Sequence, residues 1–325
     1  MMTPSIYLCI LYFLYVPFIV EGSLGDSSNI QRRCLIACES LNCSESSIIT
    51  FRNNQPLLER IFGWTCSEDC GYECMWKTVD QFQRRGLKIP QFHGKWPFVR
   101  LFGIQEPASV LASILNLIPH VYLIMKYREA VNPRTHMYQV WTLYALVSIN
   151  TWTWSTVFHT KDNNFTEKMD YLSAFSVVSY SLIAFFLKLY GQSDPLFSLG
   201  LVSLMMAFFC QHIYYMAIIR FDYGYNMMVN IAVGALNSVC WFAWAGVRWK
   251  REKHVKLGVI AILLLNGSIL LEILDFPPIW WILDSHALWH FSTAPIHFVW
   301  YRFITLDSQY ESLNFQGRNV HSKLA

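Results

Sequence analysis

The stretch "NTWTWSTVFHTKDNNFTEKMDYLSA", residues 150–174, decides the fold, because it joins two apolar runs through a short polar loop. Runs of about 20 apolar residues are long enough to cross a bilayer as helices. Such runs recur along the chain, near 105–125, 137–158, 168–189, 195–216, 225–247, 255–274 and 285–304. The sequence therefore predicts an all-α integral membrane protein, with a seven-transmembrane helix bundle over residues 99–304.

The composition agrees with a membrane protein. Of the 325 residues, 54% are hydrophobic and only 14% are charged, whereas about 25% are charged in soluble domains. The net charge of +3 is small and forms no basic patch. Nucleic acid is therefore not a predicted partner.

The N-terminal segment is predicted to be a signal peptide. The apolar run "IYLCILYFLYVPFIV", residues 6–20, is short for a spanning helix and is followed by "EGSLG". Val20-Glu21-Gly22 offers a small-residue cleavage site, which gives a signal peptide over residues 1–22. An N-terminal anchor is the alternative, since no Lys or Arg precedes the run.

A cysteine-rich module is predicted over residues 23–98. Six cysteines there, after a signal peptide, are typical of a disulfide framework in an oxidising compartment. They are Cys34, Cys38, Cys43, Cys66, Cys70 and Cys74. Their pairing is left open, and zinc binding is the competing interpretation. Glycosylation sequons at Asn42 and Asn164 fit a lumenal location.

The orientation of the bundle follows from two arguments. A signal peptide places the cysteine-rich module in the lumen, so seven crossings leave the tail, residues 305–325, in the cytosol. The predicted cytosolic loops at 126–136 and 247–256 are rich in Lys and Arg, whereas the predicted lumenal loop at 275–285 has neither. This distribution obeys the positive-inside rule.

Five polar residues are predicted to meet at the lumenal membrane boundary. Ser155 and His159 are four apart on one helix face, as are His286 and His290. Asp170 begins the third span, just after the loop that follows His159. The predicted topology brings all five to one side of the membrane at similar depth.

These residue types together suit a hydrolytic zinc site. Three histidines, His159, His286 and His290, would hold zinc and leave a fourth position for water. Asp170 would orient or deprotonate that water, and Ser155 would hydrogen-bond the water or the developing oxyanion. The alternative is structural, because membrane histidines also make interhelical hydrogen bonds without a metal.

Other polar residues near the spans are assigned lesser roles. His297 lies seven residues after His290, about 10 Å deeper by helix rise, and is excluded from the same ion. His212 and His120 are expected to pack and hydrogen-bond within the bundle. The alternative for His212 is to support a residue of the site. Glu272 and Asp275 end the sixth span and are expected to line the site or to hydrogen-bond a ligand histidine.

Two strings carry a resemblance to a known family. "NTWTWSTVFHTKD" and "DFPPIWWILDSHALWHFSTAPIH" resemble the GPI-anchor remodelling enzymes called post-GPI attachment to proteins factor 3. That family is grouped with alkaline ceramidases and adiponectin-receptor-like proteins, seven-span hydrolases that share a Ser, His, Asp and HxxxH pattern. The resemblance implies that His159, His286 and His290 bind zinc, with Ser155 and Asp170 beside the water.

The resemblance also implies a substrate. Family members are associated with hydrolysis of the sn-2 acyl ester of the GPI lipid, a phospholipase A2-type reaction, so the expected partners are GPI-anchored proteins and membrane lipids. It favours the Golgi membrane, with the endoplasmic reticulum as runner-up. The alternatives are a seven-span lumenal ligand receptor, a transporter and a non-catalytic GPI-protein export factor.

Overall fold

The computed structural model describes residues 23–324, with side chains up to residue 313. The predicted signal peptide, residues 1–22, lies outside this range. The described chain is helical and contains only isolated β-bridges besides the helices. The N-terminal helices are α1 (Leu24–Ser27), α2 (Asn29–Asn42), α3 (Ile48–Asn54), α4 (Leu57–Ile61) and α5 (Cys66–Arg84).

The remaining helices include the long apolar ones. They are α6 (Pro107–Ala130), α7 (Met137–Thr160), α8 (Asn164–Tyr190), α9 (Pro195–Tyr214), α10 (Tyr223–Arg248), α11 (Val255–Ile273), α12 (Ser285–Thr293) and α13 (Ile296–Leu324). A π-helical turn, Tyr215–Ile219, continues α9.

The chain divides into two compact units. Among the described residues, the first comprises residues 23–51 and 65–97, and the second comprises Arg52–Trp64 together with residues 98–324. The predicted cysteine-rich module thus corresponds largely to the first unit. Residues 52–64 belong instead with the helical bundle of the second unit.

Three disulfides join α2 and Cys43, the residue that follows it, to α5, which confirms the predicted disulfide framework. The pairs are Cys34–Cys74, Cys38–Cys70 and Cys43–Cys66, with Cα–Cα separations of 5.6–5.7 Å. Cysteines one turn apart share a helix face, so two antiparallel helices pair the first cysteine with the last. All six cysteines are therefore disulfide-bonded and do not act as zinc thiolates.

Membrane-spanning character is clear in five of the described helices. These five are long and apolar enough to cross a bilayer: Pro107–Ala130, Asn164–Tyr190, Pro195–Ile219, Tyr223–Arg248 and Val255–Ile273. The chain is therefore a multi-pass membrane protein, while the count of seven spans is not confirmed. Two predicted spans, 137–158 and 285–304, fall outside this set.

Each of these two exceptions has a physical reason. Helix α7 is long enough but rich in Trp, Tyr and Thr, which makes it less apolar than a Leu-rich and Ile-rich span. The predicted span 285–304 is divided between α12 and α13 at Ala294–Pro295. Proline lacks an N–H and its ring clashes with the preceding turn, so a helix breaks there.

Side-chain caps start several of the bundle helices. Asn163 and Thr166 form a capping box at the start of α8. The carboxylates of Asp194, Asp222 and Asp284 accept hydrogen bonds from backbone N–H groups in the first turns of α9, α10 and α12. These groups would otherwise lack partners. The polar loops thus define where the helices begin.

The hydrophobic core of the second unit lies at the end of the bundle opposite His159. It is built on tryptophans: Trp241 meets Trp300 edge to face, with ring centroids 5.4 Å apart, and Trp141 is fully buried beside them. Helix α7 packs against both α6 and α8. The aromatic core therefore fixes α7, whose other end carries His159.

Candidate metal centre

Three histidines from two helices meet inside the second unit. His159 lies in the last turn of α7, and His286 and His290 lie one turn apart on α12. One ring nitrogen from each lies within 4.8 Å of the other two, and His159 Nε2 is 3.4 Å from His286 Nε2. The structure thus brings together the three predicted ligands, from positions over 100 residues apart in the sequence.

The Nδ1 atom of each histidine has a hydrogen-bond partner on another helix or segment. Glu106 Oε2 is 2.7 Å from His159 Nδ1, and Glu272 Oε2 is 2.8 Å from His286 Nδ1. The Ser113 hydroxyl is 3.1 Å from His290 Nδ1. A carboxylate on Nδ1 keeps the proton there, so Nε2 presents its lone pair to a ligand.

This arrangement fits a zinc ion. Imidazole nitrogens that face each other without a shared proton repel, and a cation between them removes that repulsion. Three histidines whose second nitrogens are hydrogen-bonded, here two to carboxylates and one to a hydroxyl, form a donor set that suits zinc and leaves a fourth position open. His159 and His290 are buried, with exposures of 2% and 3%. Burial favours firmly oriented rings.

Residues 98–106, here called the rim segment, are hydrogen-bonded to α7 and to the chain just before α12, the two helices that carry the three histidines. At one end, the N–H of Val99 donates to the carbonyl of Trp281 at 2.9 Å, just before α12. At the other end, the N–H of Glu106 donates to the carbonyl of His159 at 3.0 Å. Glu106 therefore holds His159 through both its backbone and its side chain.

The start of α12 is fixed by Asp284. Its carboxylate accepts a hydrogen bond from the N–H of Ala287 at 2.8 Å, and the residue is 7% exposed. Burial raises the pKa of the Asp284 carboxyl. The cap sets where the helix begins and hence the direction in which His286 and His290 point.

The two remaining predicted site residues differ in their contacts. Ser155 is buried, and its hydroxyl is 2.9 Å from that of Ser113, which in turn contacts His290. Asp170 is half-buried in the second turn of α8. Among the described residues, the Asp170 carboxylate is not grouped with the three histidine nitrogens that could hold one metal ion.

The other three histidines discussed from the sequence, His120, His212 and His297, make packing contacts and hydrogen bonds within the bundle. His297 Nε2 is 2.8 Å from Asn116 Oδ1, and its ring lies against that of His120. His212 is fully buried and is 3.1 Å from Asn226 Oδ1. None of these three belongs to the three-histidine group.

Sequence reasoning missed two residues of the centre. Glu106 could have been noticed as a carboxylate placed immediately before Pro107 at the start of an apolar run. Ser113 had no such signal, because a single serine in an apolar helix commonly packs against another helix. Its contact with His290 depends on how α6 and α12 pack.

Comparison with known proteins decides the family. The family model for Per1-like proteins matches residues 56–308. The chain belongs to the Per1-like family. The match includes the three histidines, Glu106 and Ser113, so the whole candidate centre lies within the family region.

Several relatives of this Per1-like chain align over most of its length. A human protein named "GPI-specific phospholipase A2-like PGAP3" is 44% identical over 292 residues, covering 90% of this chain and 91% of the relative. The Danio rerio protein of the same name is 43% identical over 288 residues, covering 89% and 91%. A Drosophila melanogaster protein named "Post-GPI attachment to proteins factor 3" is 38% identical, covering 88% and 89%. No solved structure matches the chain significantly.

Proposed function

We propose that this protein is a membrane hydrolase that remodels the lipid of GPI anchors. The observation that carries the proposal is the convergence of His159, His286 and His290, each with its Nδ1 hydrogen-bonded to a side chain. A packing role alone does not call for three such nitrogens turned toward one point. The names of the human and Drosophila melanogaster relatives support GPI-lipid chemistry.

The proposed cofactor is zinc, held by the three histidine Nε2 atoms. When bound, zinc supplies a water of lowered pKa and polarises a carbonyl group. Glu106 and Glu272 accept the Nδ1 protons of His159 and His286, so Nε2 is the atom of each ring that would face the metal. Ser113 does the same for His290 if its hydroxyl accepts the Nδ1 proton.

The proposed reaction is hydrolysis of the sn-2 acyl ester of the GPI inositol phospholipid. Asp170 accepts the proton of the attacking water, and Ser155 donates a hydrogen bond to the oxyanion that forms on the ester carbonyl. Both roles come from the residue pattern. The position of Ser155, one hydroxyl away from the His290 partner Ser113, supports its role.

The proposed substrate is the lipid of GPI-anchored proteins in the lumenal leaflet. We propose seven spans, with α7 and the broken pair α12–α13 crossing in addition to the five apolar helices, a lumenal N-terminus after signal cleavage, and a cytosolic tail. Residence in the Golgi membrane is proposed, with the endoplasmic reticulum as the alternative. The lysine and arginine distribution of the loops supports this orientation.

Lipid analysis of cells tests the reaction. Cells that lack the protein are complemented with the wild type or with His286→Ala, and the GPI lipids are profiled by mass spectrometry. Accumulation of unsaturated sn-2 chains only with the variant is the expected result. A normal GPI-lipid profile in cells complemented with His286→Ala would contradict the proposed function.

Turnover by purified protein separates the enzyme from its alternatives. A lumenal receptor or a GPI-protein export factor would bind ligand or cargo without releasing fatty acid. We expect the zinc-loaded wild type to release fatty acid from a phosphatidylinositol substrate, and His290→Ala to release none. Equal release by both proteins would contradict the assignment of the histidines.

A further inference from the structure

A short polar loop joins two of the membrane-spanning helices at one face of the bundle. Helix α10 ends at Arg248 and α11 begins at Val255, and both helices are long and apolar enough to cross a bilayer. The loop between them, residues 249–254, therefore lies at a membrane surface, and the chain enters the bilayer directly after it. In the proposed orientation this surface is the cytosolic one.

The loop and its flanks are strongly basic. Residues 248–256, "RWKREKHVK", contain five lysines and arginines and one carboxylate, that of Glu252. The Glu252 carboxylate lies 3.3 Å from Arg248 Nε and 3.7 Å from His254 Nε2. The exposed side chains of Arg251 and Lys253 form no ion pair or hydrogen bond with the residues that the structure describes. The positive charges of these two side chains are therefore available to a ligand.

Arg251 and Lys253 line one edge of a cavity of about 500 Å³ between the loop and α13. Apolar side chains line another part of it, with Leu257 in the first turn of α11 and Leu306 and Leu313 on α13. Small-molecule sites have volumes of about 300–1,000 Å³. The cavity is therefore large enough for a ligand that has both a charged and an apolar part.

The loop that carries the two cations is held on both sides of the cavity. His254, which also lines the cavity, has its Nε2 3.2 Å from the Asp307 carboxylate of α13. The N–H groups of Arg251 and Glu252 donate to the carbonyl of Arg248 at 2.9 and 3.0 Å. The cations therefore project from a turn that is fixed to α10 and to α13.

We propose that this cavity binds an anionic phospholipid of the leaflet beside the loop, with the phosphate on Arg251 and Lys253 and the acyl chains along Leu257 and Leu306. The inference goes beyond the proposed function, because it concerns the end of the bundle opposite the three histidines. Basic pockets between membrane helices are suited to anionic headgroups. A guanidinium binds phosphate oxygens in pairs, and lysine adds a compact point charge.

The order of groups along the chain favours a lipid over a soluble anion. Arg251 and Lys253 lie in the loop, on the water side of α11, whereas Leu257 lies in its first membrane turn. A phospholipid has the same order, with its phosphate toward water and its acyl chains toward the bilayer. The two cations repel the choline of a neutral phospholipid, so the cavity should select an anionic headgroup.

A titration of purified full-length protein in neutral detergent tests the proposal. Dioctanoylphosphatidic acid is added, and bound lipid is counted by native mass spectrometry. We expect Arg251→Gln combined with Lys253→Gln to raise the Kd by about 10–100-fold. Lys250→Gln combined with Lys256→Gln is the matched control, because it removes the same charge from the same stretch at residues that do not line the cavity. The control should bind as the wild type does.

Two outcomes of this titration would overturn the site. Equal weakening in both double variants would indicate diffuse attraction to the basic loop, and equal affinity of all three proteins would show that the two cations do not bind the lipid. Neither measurement uses turnover, so the result stands whether or not the protein hydrolyses GPI lipids.

Two competing ligands test the lipid assignment. Inorganic phosphate at equal concentration should not displace dioctanoylphosphatidic acid, and strong displacement would indicate a free-anion site and overturn the assignment. Dioctanoylphosphatidylcholine should bind the wild type and both double variants equally weakly. Binding of this neutral lipid to the wild type as tightly as the anionic one would overturn the selection of an anionic headgroup.

Discussion

The hydrogen bonds to the histidine Nδ1 atoms determine how well the candidate centre is organised. Glu106 is 4% exposed and contacts His159 through both its carboxylate and its backbone N–H. Such partners fix the tautomer and the orientation of a ligand ring. Their removal should therefore weaken metal binding without removing any ligand.

Glu106→Gln tests the role of Glu106 by removing the negative charge of its carboxylate. The amide keeps the shape but loses the charge that holds the Nδ1 proton, so we expect zinc affinity to fall by about 10–100-fold. Metal content of the purified protein, measured at controlled free zinc, checks the result. Glu129→Gln is the control, since Glu129 is exposed and pairs with Lys126. Equal zinc affinity in the two variants would contradict the assigned role of Glu106.

Ser113 and Ser155 should have separable effects although their hydroxyls are 2.9 Å apart. Ser113→Ala leaves His290 Nδ1 without its partner, so we expect reduced zinc content. Ser155→Ala should retain zinc and lower kcat by about 100-fold, the effect of losing one oxyanion donor. Metal analysis and fatty-acid release, measured on the same preparations, distinguish the two. Loss of zinc in Ser155→Ala would assign that residue to support of the metal site.

Helix α12 is the element on which the site depends most. It is nine residues long and carries two of the three proposed zinc ligands, and its start is fixed by the Asp284 cap. Short helices gain little stability from their own hydrogen bonds, so caps and packing determine their position. A cap change here should therefore affect the site as well as stability.

Asp284→Ala should lower both stability and zinc occupancy. Loss of an N-cap costs about 0.5–2 kcal/mol, and the displaced first turn carries His286. Thermal unfolding and metal content measure the two effects.

Asp284→Asn should restore part of both, since asparagine also caps. Asp194→Ala is the control, because Asp194 caps α9 in the same way but that helix carries no ligand. Unchanged zinc in Asp284→Ala would contradict the positioning role.

A buried charge network links α8, α13 and the residue before α11 at the end of the bundle opposite the histidines. Lys188 of α8 lies 2.5 Å from the Asp307 carboxylate of α13 and also pairs with Glu311, while His254, before α11, lies 3.2 Å from Asp307. The side chains of Lys188 and Asp307 are 4% and 1% exposed. Because Lys188 already neutralises Asp307, we interpret the network as structural.

Lys188→Met should destabilise the molecule strongly. It leaves the buried Asp307 carboxylate without its main counter-charge, and breaking a buried pair costs about 3–5 kcal/mol. Thermal unfolding in detergent measures the change. Lys126→Met is the matched control, because Lys126 pairs with Glu129 on the surface and should matter little. A small effect of Lys188→Met would show that the buried pair does not hold α8 and α13 together.

The sequence by itself determined the helical membrane class and the disulfide character of the first unit. It also singled out three histidines that the structure brings together. Each of these depends on local patterns: the length of apolar runs, cysteines one turn apart, and histidines near the ends of predicted helices. The seven-span count is not confirmed, since α7 is rich in Trp and Thr and Pro295 divides the last predicted span.

Only the tertiary structure decided the partners of these residues. The disulfide pairs depend on α2 and α5 being antiparallel, and the contact of Ser113 with His290 depends on α6 packing against α12. Glu106 gains its place from the rim segment, residues 98–106, which has no periodic pattern of its own. Contacts between residues far apart in sequence arise from packing, and a single sequence records that packing only indirectly.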